Sequence, residues 1–160
     1  MNKFYTLLCI LSCVNVAFGY FETCNQNIVL GGNQVTTIRS PSYPNRYASG
    51  SSCKYNIAAP VGYMIQSECT LTMDQPQANC VSQGFYISRD GDKSLRGSEL
   101  RCSGFYSRLS IGNEMVLGYV SNSGGAGYFT CTVKSVPITQ SNCDCGWNVN
   151  VSEQFDFKDS

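Results

Sequence analysis

The stretch that decides the fold is residues Ser40 to Pro60, S-P-S-Y-P-N-R-Y-A-S-G-S-S-C-K-Y-N-I-A-A-P. Its two early prolines, Pro41 and Pro44, fix φ at about −65° and lack a backbone N–H, so they predict a rigid turn rather than a strand inside a sheet. From Cys53 to Ile57 apolar and polar side chains then alternate, which is the period of a half-buried strand. Pro60 ends this strand because it has no N–H to donate.

Other strand-like stretches recur at short spacing, separated by turn residues such as Gly31-Gly32 and Gly112-Asn113. Met115, Leu117 and Tyr119 share one face of their strand and are predicted to point into the core. No window shows a sustained helical period. These features predict an all-β protein built as an antiparallel β-sandwich. The predicted strands are Val35–Ile38, Lys54–Ile57, Tyr63–Met73, Gly84–Ser88, Arg108–Ile111, Met115–Val120 and Gly127–Val133.

The sequence contains no histidine. Ser-His-Asp and Cys-His nucleophile pairs are therefore excluded, the commonest general base is absent, and zinc sites lack their usual ligand. Paired carboxylates can act on glycosides, but the acidic residues are scattered singly except for Asp90 and Asp92, which flank a turn glycine and are interpreted as a solvated loop. We therefore expect no enzymatic activity, no catalytic residue and no cofactor.

The amino terminus, Met1 to Gly19, is predicted to be a secretory signal peptide. Lys3 precedes an apolar run from Tyr5 to Val14, and Ala17-Phe18-Gly19 is a small-x-small sequence suited to signal peptidase. The apolar run is too short to span a membrane, and no other run approaches the necessary length. Cleavage leaves about 140 residues beginning at Tyr20, which is enough for one domain with a core and a tail.

Eight of the ten cysteines remain after the signal peptide is removed. An even number of cysteines in a secreted chain implies disulfides, although the residues alone do not choose among the possible pairings. The eight are Cys24, Cys53, Cys69, Cys80, Cys102, Cys131, Cys143 and Cys145.

The formal net charge of the chain is zero, which argues against nucleic acid or an anionic membrane as a partner. The stretch from Cys24 to Val136, however, contains nine Lys and Arg residues but only six Asp and Glu residues. Five of the nine fall in one segment, which is a candidate anion-binding surface for sulfated glycans or an acidic protein loop, with a solvated loop region as the alternative. These five are Arg89, Lys93, Arg96, Arg101 and Arg108.

The Ser40–Pro60 stretch closely resembles the opening of a CUB domain. The resemblance rests on the Ser-Pro-x-Tyr-Pro turn, on Tyr47 three residues after the second proline, and on the Cys-x-aromatic-x-Ile-x-x-Pro pattern that follows. It extends from about Cys24 to Val136 and implies a disulfide-stapled, jelly-roll-like β-sandwich outside the cell. We assign residues 20–137 to this domain.

The resemblance also implies a disulfide pairing. In CUB domains a first bridge joins the cysteines on either side of the turn, and a second spans the middle of the domain. A third bridge here would join two strand stretches at positions where many CUB domains carry apolar residues. The implied bridges are Cys24–Cys53, Cys80–Cys102 and Cys69–Cys131, which leave Cys143 and Cys145 to pair with each other or with a second chain.

Many CUB domains bind calcium through a Glu and two Asp at one end of the sandwich, and use the ion to capture a lysine of a partner. This chain departs from that pattern. Gln83 stands where the family has Asp, Asn122 replaces a second carboxylate, and only Asp74 could replace the Glu. Because Ca²⁺ requires several charged oxygens, we predict that no calcium or other metal binds and that lysine capture does not carry over.

The segment Asn142 to Trp147, N-C-D-C-G-W, closely resembles the joint at which arthropod CUB serine proteases, many from venoms, pass into a trypsin-like domain. No protease start follows before Ser160, so the resemblance implies a prodomain without its protease; a coincidental Cys-x-Cys is the alternative. We assign residues 138–160 to this joint and a flexible tail. Asn150-Val151-Ser152 is an N-glycosylation sequon, which makes Asn150 a candidate site.

Together these features predict a secreted, non-enzymatic CUB-domain protein that binds other proteins, from an arthropod venom or saliva. One alternative is an immune, pattern-binding protein of haemolymph that acts through the segment from Arg89 to Arg108. Another is an accessory chain of a serine protease, linked to it by a disulfide through Cys143 or Cys145.

Overall fold

The structure is a computed structural model, which describes residues 24–73, 80, 82–122 and 125–139. The predicted signal peptide and Cys143, Cys145 and Asn150 lie outside these residues. The part of the chain that is described holds no helix long and apolar enough to cross a membrane. Its strands are β1 (Asn25–Val29), β2 (Val35–Arg39), β3 (Ser52–Ala58), β4 (Tyr63–Met73), β5 (Gln83–Ser88), β6 (Glu99–Arg101), β7 (Gly104–Leu109), β8 (Glu114–Ser121) and β9 (Gly127–Pro137).

Two sheets form a sandwich, which confirms the predicted fold class. The first sheet has the order β1-β3-β8-β5-β6, and the second has the order β2-β9-β4-β7. All neighbouring strands are antiparallel except β1 and β3, which run parallel. At this edge alone the described strands depart from the antiparallel pairing of the rest of the sandwich. The reason is that β2 belongs to the opposite sheet, so the chain returns and enters β3 in the same direction as β1.

The core lies between the sheets and consists of every second residue of the central strands. Strand β3 alternates between half-buried and buried residues over its whole length, and the predicted core residues Met115, Leu117 and Tyr119 of β8 are buried. Phe129 of β9 is the centre of an aromatic cluster, with its ring centroid 5.1 Å from that of Phe85 and 5.3 Å from that of Tyr119. This alternation is what a two-layer sandwich requires of its strands.

Three disulfides join the same cysteines that the resemblance implies. Cys24–Cys53 ties the start of β1 to β3, and Cys80–Cys102 ties the approach to β5 to the connection between β6 and β7. Cys69 and Cys131 are directly opposite each other in β4 and β9, where both are fully buried. The third bridge therefore takes the place of an apolar cross-strand pair in the core.

The turn that follows β2 is fixed to β9 at both of its ends. At its start the Ser40 N–H donates to the Phe129 carbonyl (3.0 Å), and at its end the Tyr47 N–H donates to the Gly127 carbonyl (2.7 Å). Position 127 requires glycine, because a β-carbon there would collide with the carbonyl oxygen of Thr72. The buried Tyr47 ring then packs at 4.8 Å, centroid to centroid, on Tyr119.

Candidate interaction surface

One end of the sandwich is organised around Gln83, at the start of β5. The Tyr47 hydroxyl donates a hydrogen bond of 2.8 Å to Gln83 Oε1, and the Gln83 side chain is only 2% exposed. The Asn122 N–H, in the loop after β8, donates to the Ser82 carbonyl at 2.7 Å. The loop after β2 and the loop after β8 are therefore both joined to the start of β5.

The groups around Gln83 do not fit a calcium ion. Its Oε1 already accepts from Tyr47, and its Nε2, a donor, is buried without a hydrogen-bond partner. An N–H donor cannot ligate a cation, and an amide oxygen lacks the charge by which a carboxylate raises the affinity for Ca²⁺. Among the described residues, no group of three or more His, Cys, Asp or Glu is placed to hold a metal. Asp74 lies outside these residues, so the absence of calcium binding stays a prediction.

The Tyr47 hydroxyl is a fixed donor. Burial, together with a smaller electrostatic effect of the neighbouring Tyr119, raises the pKa of Tyr47 to about 12. The pKa of Tyr119 is itself raised by burial, although a hydrogen bond involving Ser51 opposes the shift. At neutral pH the proton therefore remains on Tyr47 and the bond to Gln83 persists.

The predicted basic segment is partly neutralised within the protein. Arg101 and Arg108 are brought together by Glu99, whose Oε2 lies 2.5 Å from Arg101 Nη2 and 2.7 Å from Arg108 Nε. Partial burial raises the pKa of Glu99, but the hydrogen bonds and charges of Arg108 and Arg101 outweigh it, so the net effect is a lowered pKa. The Arg101 guanidinium also lies 5.2 Å from the ring centroid of Tyr106.

The other three basic residues of that segment do not join this cluster. Arg89 Nε donates to the Leu109 carbonyl (2.7 Å), and Arg96 Nε donates to the Ser94 hydroxyl (3.0 Å). Lys93 lines a groove of about 190 Å³ on the outer face of the first sheet. Three carboxylates, including Glu99, lie between the five basic residues in the sequence, so this segment presents charge of both signs.

Asp90 and Asp92 accept hydrogen bonds that hold the loop between β5 and β6. The Ser88 hydroxyl (2.6 Å) and the Asp92 N–H (3.2 Å) both donate to Asp90 Oδ1. The hydroxyl and N–H of Ser94 donate to Asp92. These hydrogen bonds lower the pKa of both carboxyl groups, first through the two serine hydroxyls. Carboxylates used in this way stabilise a turn, as the sequence predicted for a solvated loop.

The outer face of the second sheet carries a surface that sequence reasoning missed. Arg39 of β2 pairs with Thr130 of β9, Thr130 pairs with Thr70 of β4, and Thr70 pairs with Phe105 of β7, so the four residues form one row across the sheet. Phe105 is 65% exposed. We call this row and the two adjacent tyrosines the Arg39 surface; it consists of Arg39, Tyr43, Thr70, Phe105, Tyr128 and Thr130.

Tyr43 holds Arg39 in place and is itself packed against Tyr128. The Arg39 Cζ lies 5.3 Å from the ring centroid of Tyr43, which is a cation–π contact, and the Tyr43 ring meets Tyr128 edge-on with centroids 6.0 Å apart. Tyr43 belongs to the Ser-Pro-x-Tyr-Pro turn, and the proline turn places its ring beside β9. The motif was visible in the sequence, but the partners from β4, β7 and β9 come together only through long-range strand register.

Comparison with known proteins identifies the domain. A CUB domain family model matches residues 24–128. A cubilin homolog from Caenorhabditis elegans is 28% identical over 141 residues, which cover 79% of this chain but only 3% of that protein. The extracellular region of zebrafish Gpr126/Adgrg6 is similar in structure, with a TM-score of 0.57 and 26% identity over 71% of this chain and 15% of that one.

The CUB1-EGF-CUB2 domains of rat MASP-1 share the fold, with a TM-score of 0.51 and 17% identity over 72% of this chain and 44% of that one. This chain thus spans less than half the length of each of these three proteins. Its sandwich, its disulfides and the family match over most of its length agree. The chain therefore belongs to the CUB domain family.

Proposed function

We propose that this chain is a secreted, non-enzymatic CUB-domain protein that binds other proteins, and that it is a component of an arthropod venom or saliva. The observation that carries the binding role is the Arg39 surface. Arginine and tyrosine are enriched among the residues that dominate the energetics of protein interfaces, and an exposed aromatic residue such as Phe105 supplies apolar contact area.

The non-enzymatic part of the proposal is supported by how the carboxylates are used. Glu99 is shared by two arginines, and Asp90 and Asp92 accept hydrogen bonds within their own loop. A sequence without histidine lacks the base that most often activates a serine or cysteine nucleophile. A purified preparation is expected to turn over no peptide, ester or glycoside substrate.

The location is supported by the CUB domain and its disulfides, which indicate an extracellular protein. The similar structure from zebrafish Gpr126/Adgrg6 is an extracellular region as well. The finer assignment to venom or saliva is supported by the resemblance of Asn142 to Trp147 to the joint of arthropod CUB proteases. Transcripts concentrated in venom or salivary glands are expected, whereas transcripts concentrated in fat body would favour the haemolymph alternative.

The binding role is tested by chemical crosslinking of the purified chain in the secretion that contains it and in the tissue that the secretion reaches. We expect a discrete crosslinked protein, identified by mass spectrometry, whose yield falls with Phe105→Ser and is kept with the control Arg96→Gln in a loop of the first sheet. The absence of a saturable crosslink in both materials would refute the binding role, and a substrate turned over in proportion to the protein would refute the non-enzymatic role.

A further inference from the structure

We infer that the Arg39 surface binds an acidic, extended segment of a partner protein, in which a carboxylate and an apolar side chain are four residues apart. This inference rests on the protein-binding role proposed above and names the chemistry of the partner. It follows from the state of the Arg39 side chain, from the charges around it, and from the distance to Phe105.

The Arg39 guanidinium is held but not neutralised. The Tyr43 ring lies against it at 5.3 Å, and among the described residues no carboxylate forms an ion pair with it. A guanidinium stacked on a ring keeps its N–H groups at the edge, where a carboxylate can accept two of them in parallel. The side chain is exposed, so a partner can reach it. The contrast is with Arg101 and Arg108, which already share Glu99.

The one carboxylate on the described outer face of the second sheet is too far away to compete. It belongs to Glu68, which lies two strands and one side-chain row from Arg39. Standard strand spacing and rise place their α-carbons about 12 Å apart. That separation is near the Debye length of about 8 to 10 Å at physiological salt, so their attraction across exposed surface is weak. Glu68 Oε1 also accepts a hydrogen bond from Gln66 (3.0 Å).

The row across the sheet sets the spacing of the partner's side chains. Arg39 and Phe105 lie on the two outer strands of the second sheet, with Thr130 and Thr70 between them. Three inter-strand gaps amount to about 14 Å, which is the rise of about four residues of extended chain. Residues i and i+4 of an extended segment point to the same side. A Glu or Asp above Arg39 therefore places an apolar residue above Phe105, while the threonine hydroxyls face the backbone between.

The probe for this inference is a capped peptide of alternating Ser and Thr that carries one Glu and one Leu at i and i+4. Its comparison peptides have Gln in place of Glu, or Leu moved to i+3. NMR titration of the mature protein is expected to shift resonances of Tyr43, Tyr128, Thr130 and Phe105. Replacing Glu by Gln in the peptide, or Arg39→Gln in the protein, is expected to weaken binding by about tenfold. Arg96→Gln is the control and is expected to leave affinity unchanged.

Arg39→Gln should preserve the fold, because the Arg39 contact to Tyr55 uses the backbone carbonyl, which the substitution keeps. Phe105→Ser, at an exposed edge, provides a second variant with the same expected loss. Equal binding of the Glu and Gln peptides, no shift at millimolar peptide, or shifts confined to residues 89–108 would overturn the inference. The last pattern, reproduced by a heparin oligosaccharide, would assign anion binding to the basic segment instead.

Failure here is distinguishable from failure of the proposed function. A crosslinked partner that survives Arg39→Gln would overturn the acidic-segment inference and leave the protein-binding role intact. Binding of the Glu/Leu peptide without any crosslinked partner would leave the surface chemistry intact and contradict the proposed role.

Discussion

Replacing Tyr47 by phenylalanine isolates one buried hydrogen bond. The Tyr47 hydroxyl donates to Gln83 Oε1 at 2.8 Å, and Gln83 Nε2 already has no partner. Tyr47→Phe therefore leaves the whole side-chain amide of Gln83 unpaired in a position that is 2% exposed. The phenylalanine ring keeps the contact with Tyr119, so the packing term stays nearly constant and the lost hydrogen bond dominates the change.

The expected loss of stability depends on whether one or both partners of a buried hydrogen bond are removed. Leaving a buried polar group without its partner costs about 1 to 3 kcal/mol, whereas removing both partners is close to neutral. We expect Tyr47→Phe to lower the free energy of unfolding by about 2 kcal/mol, which for a domain of this size lowers the thermal midpoint by about 5 to 10 °C. The double variant Tyr47→Phe/Gln83→Met should recover most of that loss.

The measurement is urea and thermal unfolding with the disulfides intact. Tyr43→Phe is the matched control, because that ring is 36% exposed, and it should change stability by less than about 0.5 kcal/mol. A Tyr47→Phe protein as stable as the control, or a double variant that loses the sum of both single losses, would refute the assignment of this bond as the link between the turn and β5.

Three further predictions concern metal, disulfide and pH. Millimolar calcium should leave the thermal midpoint unchanged, since only a ligand that binds the folded state raises it; a rise of several degrees that chelator removes would contradict this. Cys69→Ala/Cys131→Val, which opens a loop with a sequence separation of 62, should lower the free energy of unfolding by about 4 kcal/mol in urea, and a loss below about 1 kcal/mol would show that the bridge does not constrain the unfolded chain. Burial raises the pKa of Tyr47 to about 12 and also raises the pKa of Tyr55 and Tyr119, so the contribution of these tyrosines to stability should be constant below pH 10 and be lost as pH rises towards 12, because the unfolded tyrosines ionise first; stability that stays flat from pH 10 to pH 12 would contradict the shift.

The strands that sequence predicted best are those with one buried face. The predicted bounds Tyr63–Met73 are those of β4, because burial alternates from Ile65 to Met73 and the two residues of the strand that precede that stretch are apolar. Strands β1 and β6 were missed for different reasons. The sequence of β1, N-Q-N-I-V, is mostly polar because its residues are largely exposed at a sheet edge. Strand β6 has only three residues, and its pairing with β5 defines it.

The candidate surface was less accessible to sequence reasoning than the fold. The sequence indicated the basic residues from Arg89 to Arg108 as a candidate surface, but Glu99 lies among them and forms ion pairs with two of the arginines. Arg39 stands alone in the sequence and gains significance from residues 4 to 91 positions away, Tyr43 and Thr130 among them. The residues that meet on the face of a sheet are set by the register between strands. Hydrophobic alternation predicts which face a residue lies on, but not which residues lie beside it on the neighbouring strands.

The turn after β2 connects the Arg39 surface to the end of the sandwich at Gln83. The same turn carries Tyr43, which holds Arg39, and Tyr47, which donates to Gln83. Gln83 stands at the position where the CUB resemblance implies a metal-binding Asp. The turn's two backbone bonds to β9 and the bond donated by the Tyr47 hydroxyl all join neutral groups. Calcium-binding CUB domains, in the family pattern given above, carry the carboxylates on the domain and take the lysine from the partner. The proposed contact reverses the charges, with arginine on this chain and the carboxylate on the partner, and it depends on strand register rather than on a bound ion.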